Sequence, residues 1–189
     1  MTQKKVLHVG CGPKNPAKLF PLFRDPAWQE VRLDINPDVV PDMIGDIRDL
    51  HQVPSNAFHA VWSSHNLEHL FAHEVPLALA EFYRVLAPGG FVVISLPDFQ
   101  AVAEEIAKGN LEGVLYESPA GPISAIDIMW GLRSAIENGN LFMAHKTGFT
   151  AQTLEEKLKQ AGFSELILER EVYNLWAFGK KKPVAVPVS

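Results

Sequence analysis

A short apolar segment that runs directly into a glycine turn constrains this chain more than any other feature. Residues 6–9 (VLHV) have the composition of a strand that is covered on both faces. Gly10 and Gly12 follow at once, and because glycine has no Cβ it permits a positive φ and lets a ligand approach the backbone. Asn15 as N-cap and Pro16 as first helical residue predict a helix start. Together these elements predict a cradle in which free N–H groups face a ligand.

Two further predicted strands each end near an acidic residue. Residues 30–35 predict the second strand, and its Asp34 lies 22 positions after Gly12. This spacing suits a carboxylate that accepts hydrogen bonds from both ribose hydroxyls of an adenosine-containing cofactor. Residues 42–47 predict a short third strand, and Asp46 near its end is placed to accept a hydrogen bond from an adenine amino group.

The remaining pattern predicts a doubly wound, Rossmann-like α/β sandwich of three layers. The predicted elements are strands at 57–64 and 91–96, an amphipathic helix at 74–86 between them, a capped helix at 150–160, and final strands at 164–170 and 173–181. The last two strands have almost no connection between them, which favours an antiparallel hairpin. We therefore expect a mostly parallel sheet with an antiparallel C-terminal edge.

Residues 99–145 interrupt this alternation of strands and helices. The segment is about 45 residues long, and long ordered insertions of this kind are commonly lids or binding segments. Within it the sequence predicts helices at 101–108 and 126–136 and a loop at 117–122. We expect one domain over residues 1–182 that includes a lid at about 99–145, followed by a flexible tail at 183–189.

Composition excludes several classes of protein. The chain of 189 residues is 47% hydrophobic and 21% charged, which is typical of a soluble globular domain. Its formal net charge of −5 argues against general nucleic-acid binding, and no apolar run is long enough to span a membrane. Cys11 is the single cysteine, so neither an internal disulfide nor a cysteine-based zinc cluster is expected. Only five residues precede the first strand, too few for a signal peptide, and we expect a cytoplasmic monomer or homodimer.

The chain resembles the class I S-adenosylmethionine-dependent methyltransferases over nearly its whole length outside residues 99–145. The matching segments are VLHVGCG at 6–12, LDI at 33–35, GDI at 45–47, LEHL at 67–70, RVLAPGG at 84–90, GFT at 148–150 and AGF at 161–163. Each segment is degenerate, but their order and spacing together are fairly specific. The resemblance implies S-adenosylmethionine as cofactor, bound across the carboxyl ends of the strands.

The resemblance also implies a role for individual residues. It assigns the methionine part of the cofactor to Gly10, Cys11, Gly12, Ser63 and Ser64, the ribose to Asp34, and the adenine to Ile35, Asp46 and Ile47. Two departures stand out: His8 occupies the place of an acid that helps to hold the cofactor's ammonium, and the family's third glycine is missing. Family members usually have N-terminal helices that cover the substrate, and we expect residues 99–145 to take that role here.

Candidate catalytic residues follow the fourth predicted strand. Methyl transfer from a sulfonium needs mainly alignment and exclusion of water, and a general base adds about 10²–10⁴-fold for a hydroxyl or a protonated amine. His65 is the candidate base and His145 a second candidate, although either could simply bond the backbone. Glu68 and His69 have a structural interpretation, in which they tie a helix to its loop. We predict no resident metal, but His65, Glu68, His69 and His145 as metal ligands stay an open alternative.

The sequence therefore predicts an S-adenosylmethionine-dependent methyltransferase that acts on an oxygen or nitrogen of a small molecule. One alternative is a cofactor-binding but catalytically silent partner or regulatory protein, which His8 motivates. The other is an NAD-dependent oxidoreductase, and the missing third glycine and the PGG segment at 88–90 count against it.

Overall fold

The computed structural model describes residues 3–183, so most of the predicted tail, residues 184–189, lies outside the described residues. The strands are β1 (Lys4–Val9), β2 (Trp28–Asp34), β3 (Met43–Ile44), β4 (Phe58–Ser64), β5 (Leu86–Pro97), β6 (Val114–Ser118), β7 (Gly121–Ser124), β8 (Ser164–Glu171) and β9 (Asn174–Lys180). The helices are α1 (Val75–Val85), α2 (Phe99–Ala107), α3 (Ala125–Trp130), α4 (Arg133–Glu137) and α5 (Ala151–Gln160). No helix in the described part of the chain has the length and apolar character needed to cross a membrane.

Seven strands form one sheet in the order β3-β2-β1-β4-β5-β9-β8. Strands β1 to β5 pair in parallel, whereas β9 runs antiparallel to both β5 and β8. The predicted Rossmann-like sheet with an antiparallel C-terminal edge is confirmed. The chain order reverses between β1 and β4, and a crevice opens at the carboxyl ends of strands at such a point.

The side of the sheet that carries α1 and α5 holds the main hydrophobic core. Leu7 and Val9 point to this side, since alternate residues of a strand face opposite ways. Leu79 of α1 and Leu154 of α5 are fully buried against it. Thr150 caps α5 as the sequence predicts, and its hydroxyl accepts a hydrogen bond from the Thr153 amide.

The opposite side of the sheet is covered by 3₁₀ turns. Leu19 and Phe23, close to and within the turns Pro16–Lys18 and Pro21–Arg24, are buried against Val6 of β1 and its neighbours. The predicted helix start is confirmed, with Asn15 as N-cap accepting from the Ala17 amide and Pro16 as first residue, but the helix is a single 3₁₀ turn. A second proline five residues on has no amide hydrogen to donate, so an α-helix does not continue through it.

Residues 99–145 form a smaller unit with its own cluster of buried residues, namely Val102, Ile123, Ala125 and Ile128. The predicted loop at 117–122 is wrong, because these residues belong to the antiparallel hairpin of β6 and β7. The predicted helix at 126–136 is divided into α3 and α4. Gly131 separates them with a φ of +96°, a conformation that an α-helix does not contain.

Candidate functional site

The turn between β1 and the first 3₁₀ turn is held against the end of β2. Gly10 and Gly12 both have a φ of +58°, as the sequence predicts for a tight turn. The Gly12 amide donates to Asp34 Oδ2 at 2.8 Å, and the Cys11 amide donates to the Leu33 carbonyl at 3.2 Å. The turn is therefore anchored by the same carboxylate that the sequence assigns to the ribose.

The two glycines differ in what lies around them. A Cβ on Gly10 would stand 2.6 Å from Asn66 Cγ, so the Asn66 side chain occupies the space that a larger residue would need. At Gly12 the nearest atom to such a Cβ is Lys18 Nζ, at 3.9 Å. Gly10 is thus required by packing, whereas Gly12 leaves an open cradle with an ammonium group at its border.

The acidic residues near the ends of β2 and β3 differ in their hydrogen-bond partners. Asp34 accepts a second hydrogen bond, from the Asn36 amide to Oδ1 at 2.9 Å, and the Ile35 side chain beside it is exposed. Asp46 is paired with Arg48, whose backbone and guanidinium nitrogens both donate to its carboxylate, and this hydrogen bonding holds the pKa of Asp46 below its usual value. An adenine amino group at Asp46 would therefore share a carboxylate that is already paired.

The remaining residues assigned to the cofactor are largely buried. Ile47 and Cys11 lie in the interior, and burial raises the pKa of the Cys11 thiol to about 11, so this cysteine is neutral at pH 7. Ser63 Oγ is buried without a hydrogen-bond partner among the described residues. Ser64 Oγ lies 2.9 Å from Ser95 Oγ, in hydrogen-bond contact with the neighbouring strand.

His8, which stands where the resemblance expects an acid, has an acid beside it. Its Nδ1 lies 2.6 Å from Glu30 Oε1, and the imidazole is 4% exposed. Glu30 belongs to β2, so the acid beside His8 comes from the neighbouring strand. The parallel register of β1 and β2 produces this pair, and no spacing in the sequence indicates it.

His65 is the first residue after β4 and adopts a left-handed conformation, with a φ of +47°. Such a conformation is uncommon outside glycine, and residues that adopt it cluster at functional sites. The side chain is 48% exposed and its Nδ1 lies 3.3 Å from Glu68 Oε1. Burial of the ring disfavours its charge, but the nearby Glu68 carboxylate outweighs this effect and raises the pKa of His65.

Glu68 is the most unusual residue of the site. Its side chain is completely buried, and neither carboxylate oxygen has a hydrogen-bond partner among the described residues. Burial acts to raise its pKa, whereas the imidazoles of His65, His69 and His145 act together to lower it, and the net direction is downward. The site thus contains a carboxylate that is surrounded by imidazoles.

Two of these imidazoles are held in defined orientations. His69 Nδ1 lies 3.1 Å from the Ala144 carbonyl and His145 Nδ1 lies 2.8 Å from the Ile128 carbonyl. The rings meet edge to face, with centroids 4.9 Å apart. Burial lowers the pKa of His145, which favours its neutral form. One potential ligand atom each of Glu68, His69 and His145 lies within 4.8 Å of the others.

A cavity of about 200 Å³ lies beneath residues 99–145, next to these histidines. His65, His69, His145, Asp127 and Asn174 supply its polar groups. Its other walls are mostly apolar and come from both the insertion and the body of the domain, namely Pro97, Tyr116, Ile123, Ile128, Leu132, Met143 and Tyr173. The insertion therefore covers one side of a small, partly open space at the carboxyl ends of the strands.

Residues 7–94 match the family model of a methyltransferase domain. This match covers just under half of the chain, and together with the fold it supports the class I S-adenosylmethionine-dependent methyltransferase family. The cofactor of this family is S-adenosylmethionine. No curated protein matches the sequence of this methyltransferase.

Solved structures share the fold of the methyltransferase along nearly its whole length. A protein from Pyrococcus horikoshii OT3 is similar with a TM-score of 0.66 and 16% identity, over 96% of this chain and 83% of the other. A SAM-dependent methyltransferase from Archaeoglobus fulgidus has a TM-score of 0.61 and 16% identity, over 95% and 86%. A third, a SAM-dependent methyltransferase from Methanosarcina mazei, has a TM-score of 0.60 and 14% identity, over 96% and 93%.

The structure of the methyltransferase brings some of the predicted residues together and gives others a structural role. His65 and His145, the two candidate bases, line the same cavity. Asp98, also at a carboxyl end, is used instead as the N-cap of α2 and pairs with Arg170. Sequence reasoning missed Asn66 and Arg48. The two-residue spacing from Asp46 to Arg48 is a signal that could have found the second, whereas nothing local points to the contact of Asn66 with Gly10.

Proposed function

We propose that this methyltransferase transfers a methyl group from S-adenosylmethionine to an oxygen or nitrogen of a small, largely apolar molecule bound in the cavity beneath residues 99–145. The observation that carries the proposal is the position of two consecutive residues. His65 lines the cavity, and Asn66 packs on Gly10 in the glycine turn. The cofactor cradle and the partly open cavity therefore lie on either side of one short segment.

The residues around the glycine turn fit the cofactor. Gly12 leaves space in which a ligand can touch the backbone, and Asp34 presents a carboxylate at the end of β2 for the ribose hydroxyls. The exposed Ile35 offers an apolar surface to the adenine. Lys18 Nζ stands close to Gly12, where an ammonium can pair with the carboxylate of the methionine part.

Transfer needs alignment, exclusion of water and removal of one proton. When bound, the cofactor would supply an electrophilic methyl group to the acceptor lone pair, and the electron pair of the broken carbon–sulfur bond would stay on sulfur. The mostly apolar walls under the insertion shield the acceptor from water on the side that they cover. His65 lies beside the acceptor as the base that takes its proton, and the buried Glu68 carboxylate at 3.3 Å stabilises the resulting imidazolium.

The proposal is tested by calorimetric binding of S-adenosylhomocysteine to the native chain and to Asp34→Ala. A carboxylate that accepts hydrogen bonds contributes about 1.5–3 kcal/mol for each, so we expect at least about a tenfold loss of affinity. Asp38→Ala is the matched control, because Asp38 is an exposed acid four residues away and should bind like the native chain. Native protein that does not bind the ligand, or an Asp34→Ala variant that binds as tightly, contradicts the proposal.

Two further measurements, methyl transfer to a panel of acceptors and calorimetric binding of NAD, separate the alternatives. A catalytically silent relative binds S-adenosylhomocysteine tightly but transfers no methyl group to any member of a broad panel of hydroxyl and amine acceptors. An oxidoreductase binds NAD in its place.

A further inference from the structure

We propose that Glu68, His69 and His145 bind one divalent transition-metal ion of the Zn²⁺ type at the polar side of the cavity. The ion would face the acceptor, and this part of the inference rests on the proposed function. The presence of the metal site does not depend on it, because the site is argued from the protein's own side chains.

Glu68 lacks the partners that a buried carboxylate normally has. Its carboxylate is completely buried and neither oxygen accepts a hydrogen bond from the described residues. Removing an ionised carboxylate from water without a partner costs several kcal/mol or more, so such groups in proteins are paired or coordinate a metal. His65 Nδ1 lies 3.3 Å from Oε1 without hydrogen-bond geometry, and Oε2 has no partner among the described residues.

His69 and His145 are oriented with one ring nitrogen toward a backbone carbonyl. A carbonyl oxygen only accepts hydrogen bonds, so the Nδ1 atoms of His69 and His145, which contact the carbonyls of Ala144 and Ile128, carry the protons. The Nε2 atoms are then left with free lone pairs. Metal-binding histidines are held in this way, with one ring nitrogen donating to a carbonyl or carboxylate and the other bound to the metal.

The possible ligand atoms of Glu68, His69 and His145 lie close together. One ligand atom of each residue lies within 4.8 Å of the other two. Ligands at about 2.0–2.1 Å from a tetrahedral Zn²⁺ are about 3.4 Å apart, so closing the site needs movements of about 1 Å. The segments that carry the ligands are already tied together, because the Lys146 and Thr147 amides both donate to the Glu68 carbonyl.

The donor set also selects the ion. Two imidazoles and one carboxylate suit Zn²⁺, Co²⁺, Ni²⁺ or Fe²⁺, whereas Mg²⁺ and Ca²⁺ prefer oxygen ligands. Three protein ligands leave a coordination position open, as in catalytic zinc sites. His69 and His145 line the cavity, so this position faces the space assigned to the acceptor. An acceptor hydroxyl group bound to the ion would have a lower pKa and would lose its proton more easily. Without the ion, removal of that proton would depend on His65 alone.

The experiment uses the full chain after removal of any histidine tag and dialysis against a chelator. Co²⁺ and Zn²⁺ are titrated, with binding followed by calorimetry and by the visible absorption of Co²⁺, and metal content is measured by mass spectrometry. We expect one ion per chain and a Co²⁺ spectrum of a low-coordinate site. Glu68→Gln, His69→Gln and His145→Ala should each lower the affinity at least tenfold.

His51→Ala is the matched control, because His51 also lies beside a carboxylate, 3.2 Å from Asp49, but both side chains are exposed. Its affinity for Co²⁺ should equal that of the native chain. Absence of stoichiometric Co²⁺ and Zn²⁺ binding, or equal loss in the control, overturns the metal site and leaves a metal-free cluster of imidazoles and carboxylate. Each variant that still binds S-adenosylhomocysteine is folded. Loss of metal binding with retained S-adenosylhomocysteine binding contradicts the metal site alone, whereas loss of S-adenosylhomocysteine binding by the native chain contradicts the proposed function.

Discussion

Replacement of Gly10 by alanine tests how the cofactor turn is built. The new Cβ would lie 2.6, 2.7 and 2.8 Å from the Cγ, Oδ1 and Nδ2 atoms of Asn66. Non-bonded carbon atoms prefer about 3.5–4.0 Å, so the Asn66 side chain has to move by about 1 Å. Its Nδ2 atom is buried and the residue joins the turn to the cavity, so the displacement is expected to affect both stability and ligand binding.

The free energy of unfolding should fall for two separable reasons. The left-handed conformation costs an alanine about 1–2 kcal/mol, of which about 0.4–1 kcal/mol is offset by the stiffer unfolded chain. Overpacking against Asn66 adds about 1–3 kcal/mol. The total of about 3 kcal/mol corresponds to a fall in melting temperature of about 6–12 °C for a chain of this size.

Gly89→Ala measures the first contribution alone, because Gly89 has a φ of +77° and nothing within 4 Å of a Cβ. We expect it to lower the melting temperature by about 2–4 °C, consistent with about 1 kcal/mol. In the double variant Gly10→Ala/Asn66→Ala the obstruction is gone, so thermal unfolding should occur above that of Gly10→Ala alone. Equal melting temperatures for Gly10→Ala and Gly89→Ala would refute the packing argument.

Three further outcomes are expected. Because the Cys11 thiol is buried and its pKa is raised to about 11, it should react with thiol reagents only on unfolding, and Cys11→Ser should keep most methyl transfer; complete loss would contradict a packing role. Burial acts to raise the pKa of Asp127, but hydrogen bonds from Arg133 and Ser124 hold it well below its usual value. This stabilisation is present above about pH 4, the pKa of an aspartate in the unfolded chain, and it is lost progressively as the pH falls below that value. The free energy of unfolding, measured by urea titration at several pH values, should therefore fall more steeply with decreasing pH for the native chain than for Asp127→Asn. Val172, with a φ of +54° in the β8–β9 turn, should gain about 0.5–1 kcal/mol on replacement by glycine, measured as a higher melting temperature.

Local sequence patterns were sufficient for the main sheet. Apolar runs predicted its strands and the N-cap Thr150 predicted α5, because burial and capping depend on residues that are neighbours in the chain. The Asn15–Pro16 signal correctly predicted a helix start, but it is shared by α and 3₁₀ turns, and Pro21 limited the helix to one 3₁₀ turn. The same reasoning failed at one predicted loop. Residues 117–122 have turn-like composition, but pairing with a partner strand made them part of a hairpin.

The sequence by itself determined which chemical groups are present at the carboxyl ends of the strands, and roughly which strand each one follows. Only the tertiary structure decided which of them meet. Glu30 reaches His8 through the strand register, Asn66 fills the space at Gly10, and His145 approaches Glu68 across the folded insertion. These contacts join positions that are distant in the chain, so they depend on sheet order, register and packing, which no local spacing records.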